Sequence, residues 1–442
     1  MAADSTRWTS RIAACDPIEA RGRVTKVVGL LLESGGPAAS IGELCAISFG
    51  DVLIGYAEVV GFRESTTLLM PLGEMEGIRP GFDVTATGHP LQVPSGMGLV
   101  GRVLDGLGRP LDAKGAIPSS LPRRPVTGSA PNPMTRSRIH SPMGTGVRAV
   151  DGFLTLGRGQ RLGIFAGSGV GKSVLLGMFA KNCQAEVNVI CLIGERGREV
   201  REFLERDLGT EGMKRSVVVC ATSDQPAIVR VKAAFAATAI AEGFRDEGRD
   251  VLLMMDSSTR LAMAQREIGL AIGEPPATRG YTPSVFSLLP RIFERAGTSD
   301  KGSITALYTV LVDGDDHEEP VADAIRSILD GHIVLSRDIA SKGHFPAIDI
   351  LRSISRCMPD VISREHQLAA RELISLMSLY RENEDLITLG AYQKGTNPRL
   401  DLAIRLRDAL DIYLKQDRDE SSSFEQAASA LAMLAAQAQG GR

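Results

Sequence analysis

The sequence predicts an α/β protein: a parallel-sheet core between an N-terminal β-barrel and a C-terminal α-helical domain. Three observations carry this. Between about residues 160 and 335, near-continuous apolar runs alternate with helical stretches, the pattern of a parallel sheet covered on both faces. From 21 to 90, short β-branched runs are punctuated by Gly, Pro and Asn/Asp turns, as in a small antiparallel barrel. After about residue 357 strand signals vanish and helical periodicity takes over.

The elements follow in order. Residues 1–20 hold Trp8, Ile12 and Ala13 at helical spacing and are expected as a tail or partner-binding helix. The barrel domain, 21–90, contains "GRVTKVVGLLLE", "LCAISF", "LIGYAEVVGF" and "FDVTATG". The α/β domain is expected over 91–356, opening with a Pro/Gly-rich linker to 146 ("DGLGRPLD", "IPSSLPRRPVTGSAPNP"). Its strands are "QRLGIFA", "VNVICLIG", "RSVVVCATS", "RDVLLMMDSS", "SITALYTVLV" and "GHIVLS". Residues 357–442 complete the chain as the helical domain.

Composition narrows the function classes. The hydrophobic fraction of 43% suits a globular core, and a net charge of −3 leaves no overall basic footprint for nucleic acid. The six cysteines show no C-x-x-C pair, which predicts reduced thiols, and no His/Cys cluster predicts a zinc site. No signal peptide and no run of about 20 apolar residues is visible, so a cytoplasmic location is expected.

The chemistry begins at "IFAGSGVGKS", where a strand runs into Gly167, Ser168, Gly169, Val170, Gly171, Lys172 and Ser173. This matches G-x-x-x-x-G-K-[ST] except that Ala166 takes the first position. Glycines let backbone N–H groups converge on phosphate oxygens, and the following helix offers its N-terminal dipole to the same anion. Lys172 is the residue for the β/γ-phosphates and Ser173 the hydroxyl for Mg²⁺. Asp256, ending "DVLLMMD", stands where a carboxylate holds Mg²⁺ through water. Glu195, ending the strand before "RGREV", is placed to orient an attacking water. Glu199 lies one turn into the next helix and is expected in surface pairs with Arg198 or Arg201. Phosphoryl transfer also wants an arginine, often from a neighbouring subunit; Arg260, Arg337, Arg352 and Arg356 all qualify by residue type.

"PAIDILRSIS" (346–355) matches the signature P-[SAP]-[LIV]-[DNH]-x-x-x-S-x-S. With the P-loop and "GERGREV", "DSSTRLAMAQREI", "GEPPATRGYTPSVFSLLPRIFERAG" and "DGHIVLSRDIASKGHFPAIDI", the chain resembles the rotary-type ATPase α/β family over roughly 20–415. Within it the sequence is most similar to the type III secretion ATPases, most of all their flagellar branch, with the injectisome branch, which shares every motif quoted, as the alternative. The resemblance implies a RecA-like sheet, barrel–nucleotide-binding–helical domain order, and a homohexamer with sites between subunits. It implies Glu195 as catalytic carboxylate, Arg196 beside the phosphates, Arg356 as an arginine finger for the neighbouring site, and Phe345 as an aromatic on adenine. It further implies ATP as substrate with Mg²⁺, and as partners a regulator or stator, a central stalk, chaperone–cargo complexes and a membrane export gate at the inner membrane. "AIGEPPATRGYTPSVF" is expected as a loop near the ring's central opening.

Four rivals are weaker. A catalytic subunit of a rotary synthase would carry a "DELSEED"-type acidic run, where this chain has "LYRENEDLITLGAY". A non-catalytic subunit would lack Glu195. An RNA translocase would want clustered cations among the barrel aromatics, and 21–90 offers few. A nucleotide-stabilised scaffold would show negligible phosphate release. The acidic turn "DGDDHEEP" (313–320) lacks D-x-[DN]-x-[DN]-G spacing and is expected as a solvated turn.

Overall fold

The computed structural model describes residues 9, 21–74, 76–312 and 319–439; the 1–20 segment (save Thr9) and most of the 313–320 turn lie outside them. The chain divides into two units, one running to Leu91 with Pro226–Val229 and Glu267–Pro275, the other holding the remainder.

In the first unit six strands close a barrel: β1 (Arg21–Val28), β2 (Leu31–Gly35), β3 (Glu43–Phe49), β4 (Val52–Arg63), β5 (Thr66–Pro71) and β6 (Asp83–Pro90), in the order β1-β2-β5-β4-β3-β6. Alternate residues point inward, so Val24, Leu32, Ile47, Val59, Leu69 and Val84 fill the interior. At Gly22 a Cβ would lie 2.1 Å from the Gly36 carbonyl carbon, so only glycine lets these two turns of chain touch.

The second unit is built on a sheet whose main path has eight strands. These are β7 (Val103–Asp105), β8 (Arg161–Ala166), β9 (Val187–Ile193), β10 (Ser216–Ala221), β11 (Asp250–Asp256), β12 (Ser303–Leu311), β13 (Gly331–Leu335) and β14 (Ile354–Ser355), ordered β14-β13-β8-β12-β11-β9-β10-β7. All pairings along it are parallel except β13 with β14. Strands β9, β10 and the body of β11 are buried along their whole length, which is why they read as unbroken apolar runs. The linker expectation needs one correction. Val103–Asp105, inside the Pro/Gly-rich stretch, adds to the sheet as β7 beside β10. Three residues are too few to show a period, and the turn after them masks the strand: Asp105 Oδ1 accepts the N–H groups of Leu107 and Arg109 at 2.9 and 2.8 Å.

Helices α1 (Lys172–Asn182), α2 (Gly197–Glu202), α3 (Ala227–Asp246), α4 (Ser258–Ile272) and α5 (Pro283–Phe293) connect the strands. A π-helical stretch, Phe203–Leu208, continues α2. Beyond β14 come α6 (Arg364–Glu382), α7 (Pro398–Leu414) and α8 (Phe424–Gln439), whose Leu373, Leu376, Leu406, Leu410 and Leu431 join the core of this unit. The five described cysteines are free thiols. Among the described residues no helix is long and apolar enough to cross a membrane.

Candidate active site

Parallel strands deliver their last residues to one edge, and three of those ends build the site. Strand β8 ends at Ala166, extended and paired with Leu311 and Leu335, so an ordinary strand conformation suffices and the departure from glycine is harmless. Gly169 and Gly171 do need glycine, with φ of 79° and 89°. The second starts α1 without a side-chain cap, which leaves the first N–H groups of that helix for an anion.

Lys172 projects from this first turn across the ends of β9 and β11. Its ammonium pairs directly with Asp256 Oδ1 and lies 3.6 Å from Glu195 Oε1. Asp256 is fixed from the other side by Thr309 Oγ1, which donates to it at 2.7 Å. Ser173, Glu195 and Asp256 line one cavity of about 120 Å³ beneath α2 and the π-helical stretch. Burial drives the Glu195 carboxyl above its usual pKa; Lys172 and Arg260 oppose this, while Asp256 and a hydrogen bond with Glu199 reinforce it.

Glu199 departs from the sequence expectation. It faces the cavity and hydrogen-bonds to Glu195, and its cation is Arg196, at 3.5 Å, while Arg201 pairs with Glu205 at 2.7 Å. The chain turns at Gly194, whose φ is 69°, and α2 begins at Gly197 with Arg196 as its N-cap. Arg196 itself stays two-thirds exposed at the N-cap of α2.

The four candidate arginines separate in space. Arg260 packs against Gly194 beside Glu195, its side chain 3.2 Å from where a Cβ on Gly194 would sit. Arg337 follows the end of β13, and Arg352 sits in the short helical turn before β14. Arg356 is exposed at the opposite edge of the sheet: β14 runs antiparallel to β13, Ser355 pairs with Gly331 at its start, and the Arg356 N–H donates to Asp330 O at 3.0 Å. The length of β8, about 17 Å at 3.3 Å per residue, separates that edge from the P-loop. Arg356 therefore does not complete the site of its own chain.

Phe345 lies against the start of α1, its ring 3.5 Å from a Cβ built on Gly171, with nearly half its surface exposed. Its carbonyl accepts the Gln416 N–H at 2.9 Å.

For a metal, the described residues contain no converging group of three or more His, Cys, Asp or Glu. Ser173 and Asp256 supply hard oxygens in one cavity, the donor set that suits Mg²⁺, which takes few protein ligands and keeps water and phosphate oxygens for the rest.

Comparison with known proteins accords with this geometry. The nucleotide-binding domain of the ATP synthase alpha/beta family matches residues 146–355, and that family's beta-barrel domain matches 24–88. The T3SS EscN ATPase C-terminal domain matches 362–433. The "Flagellum-specific ATP synthase" of Bacillus subtilis (strain 168) is 56% identical over 427 residues, covering 96% of this chain and 97% of its own. The "Type 3 secretion system ATPase" of Xanthomonas euvesicatoria is 54% identical over 405 residues, 91% of each. The assembled ATPase EscN of enteropathogenic E. coli aligns with a TM-score of 0.88 at 45% identity, over 94% of this chain and 100% of EscN. In complex with its central stalk EscO it aligns at 0.87.

Proposed function

The chain belongs to the ATP synthase alpha/beta family, and we propose that it hydrolyses ATP with Mg²⁺ in a homohexameric ring that energises type III protein export, in the flagellar branch. The observation that carries the reading is the split of the machinery between two edges of one sheet. Lys172, Glu195 and Asp256 converge at the carboxyl edge, and Arg356 stands exposed at the amino edge. Identical subunits packed edge to edge bring the second group to the first, and EscN is known in an assembled form.

Each residue has a defined task. Backbone N–H groups of Gly167–Gly171 cradle the phosphates, and Lys172 exchanges its two carboxylate partners for β- and γ-phosphate oxygens. Ser173 and Asp256 would hold Mg²⁺, which would supply charge neutralisation to the phosphates. Glu195, whose raised pKa marks it as a stronger base than a free carboxylate, orients the attacking water and accepts its hydrogen bond. Arg196 stands beside the phosphates. Arg356 of the adjacent subunit stabilises charge on the transferring phosphoryl group, and Phe345 stacks on adenine. In this scheme 21–90 is the barrel module, 91–356 the catalytic module, and 357–442 the helical module.

EscN's complex with its central stalk supports a stalk partner here too. A regulator or stator, chaperone–cargo complexes and an export gate complete the partners, with the ring at the cytoplasmic face of the inner membrane and no role for nucleic acid. The 54% identity to a type 3 secretion ATPase keeps injectisome export as the second reading. Phosphate release by the purified protein with ATP, with and without Mg²⁺, tests the activity. Loss of motility, with effector secretion intact, in a deletion strain decides the branch.

A further inference from the structure

The residue before Arg356 is held in an unusually complete polar frame. Gln160, fully buried, stands immediately before β8. Its Oε1 accepts the Gly157 N–H at 2.9 Å, and its Nε2 donates to Asp330 O at 3.0 Å and to Ser355 Oγ at 3.1 Å. Ser355 Oγ donates onward to Thr155 O at 2.8 Å. Asp330 O thus takes two donors, the Gln160 amide and the Arg356 backbone N–H. The Asp330 carboxylate is bound by Arg161, through the backbone N–H at 3.0 Å and the guanidinium at 3.1 and 3.2 Å. Gly331 finishes the seat: a Cβ there would lie 2.3 Å from Ile354 O, so glycine alone lets β14 close against β13.

Part of this arrangement is structural, since an apolar side chain in place of Gln160 would leave the buried Gly157 N–H without its acceptor; β14 itself is only two residues long. What the frame fixes is the direction in which the next residue, Arg356, leaves the sheet. We infer that Gln160, acting with Ser355, is a positioning residue for Arg356: the start of β8 aims the arginine at the neighbouring site while the end of the same strand carries the P-loop of its own. One rigid strand then ties the two half-sites of a subunit together. This rests on the shared-site reading above, in which Arg356 serves a neighbour. A misplacement of about 1 Å in a reacting group costs on the order of 100-fold in rate, so the frame has something to protect.

The test is a double-mutant cycle among Gln160→Met, Ser355→Ala and Arg356→Ala. It is read by kcat and by the ratio of affinities for MgADP with and without aluminium fluoride. Gln160→Met is expected to lower kcat about 10- to 100-fold and to weaken fluoroaluminate-dependent binding to match, with MgADP affinity kept within about twofold. Ser355→Ala, which removes one hydroxyl and carries the test should Gln160→Met not fold, is expected to lose less in the same direction. In the Arg356→Ala background neither change should reduce the binding ratio further. Additive losses there, or a fall in MgADP affinity equal to the fall in kcat, would mean a merely structural role and overturn the inference. So would full turnover in both single variants. Full turnover in Arg356→Ala would instead overturn the shared site.

Discussion

The two edges of the central sheet use polar residues in opposite ways. At the amino edge Gln160, Asp330, Arg161 and Ser355 are joined in one chain of hydrogen bonds, and nearby Arg295, fully buried, is clamped by both carboxylate oxygens of Glu242 at 2.8 and 2.7 Å. At the carboxyl edge the groups are paired provisionally. One ammonium bridges two carboxylates, and a third carboxyl leans on the second. The first network builds a frame; the second, in which one ammonium is shared between two carboxylates, is a place where a metal cation can take over part of the balance and release Lys172 to phosphate.

The sharpest way to break the comparison is Arg356→Ala. An arginine finger is worth about 10³–10⁵ in kcat, so phosphate release should fall by that order while nucleotide binding and melting temperature hold. Turnover near wild type would leave the amino edge a frame only. Glu195→Gln should cost on the order of 10²–10⁴ in kcat, from the carboxyl edge, again with nucleotide still bound. Glu242→Gln should act in the reverse sense. It strands the Arg295 charge in the interior and costs about 3–5 kcal/mol in denaturant unfolding, with turnover per folded molecule unchanged. Phe345→Ala should weaken nucleotide binding about 5-fold or more, measured by titration, with little change in kcat.

A finer test uses pH. The Glu195 pKa is raised in the folded chain above its usual 4.5. The folded state therefore holds a proton that the unfolded state has released as pH rises through that window, and this group subtracts stability there. The deduction is absent below the usual Glu range and full above the raised value. Without nucleotide, the stability of Glu195→Gln relative to wild type should grow from acid to neutral pH in paired thermal melts; a difference that shrinks would refute the burial argument.

Much of this was legible before the fold was known, and the boundary is instructive. The P-loop was readable because its glycines, Lys172 and Ser173 are covalent neighbours whose spacing is the chemistry. Asp256 and Glu195 were readable because a parallel sheet sends every strand end to one edge, so a terminal acid after an apolar run is placed by topology alone. The partner of Glu199 was not legible, because which groups a short helix meets depends on how it packs, and spacing says nothing of that. β7 was hidden inside a linker for want of length.

The sequence by itself determined the domain classes, the P-loop and the carboxylates, because periodicity and contiguity are local properties. Only the tertiary structure separated Arg260, beside Glu195, from Arg356, a strand's length away on the opposite edge. Only it joined Gln160 to Asp330 and Ser355, residues far apart along the chain. Hydrogen bonds of that kind are made by strand order, and strand order is settled by how the whole sheet packs.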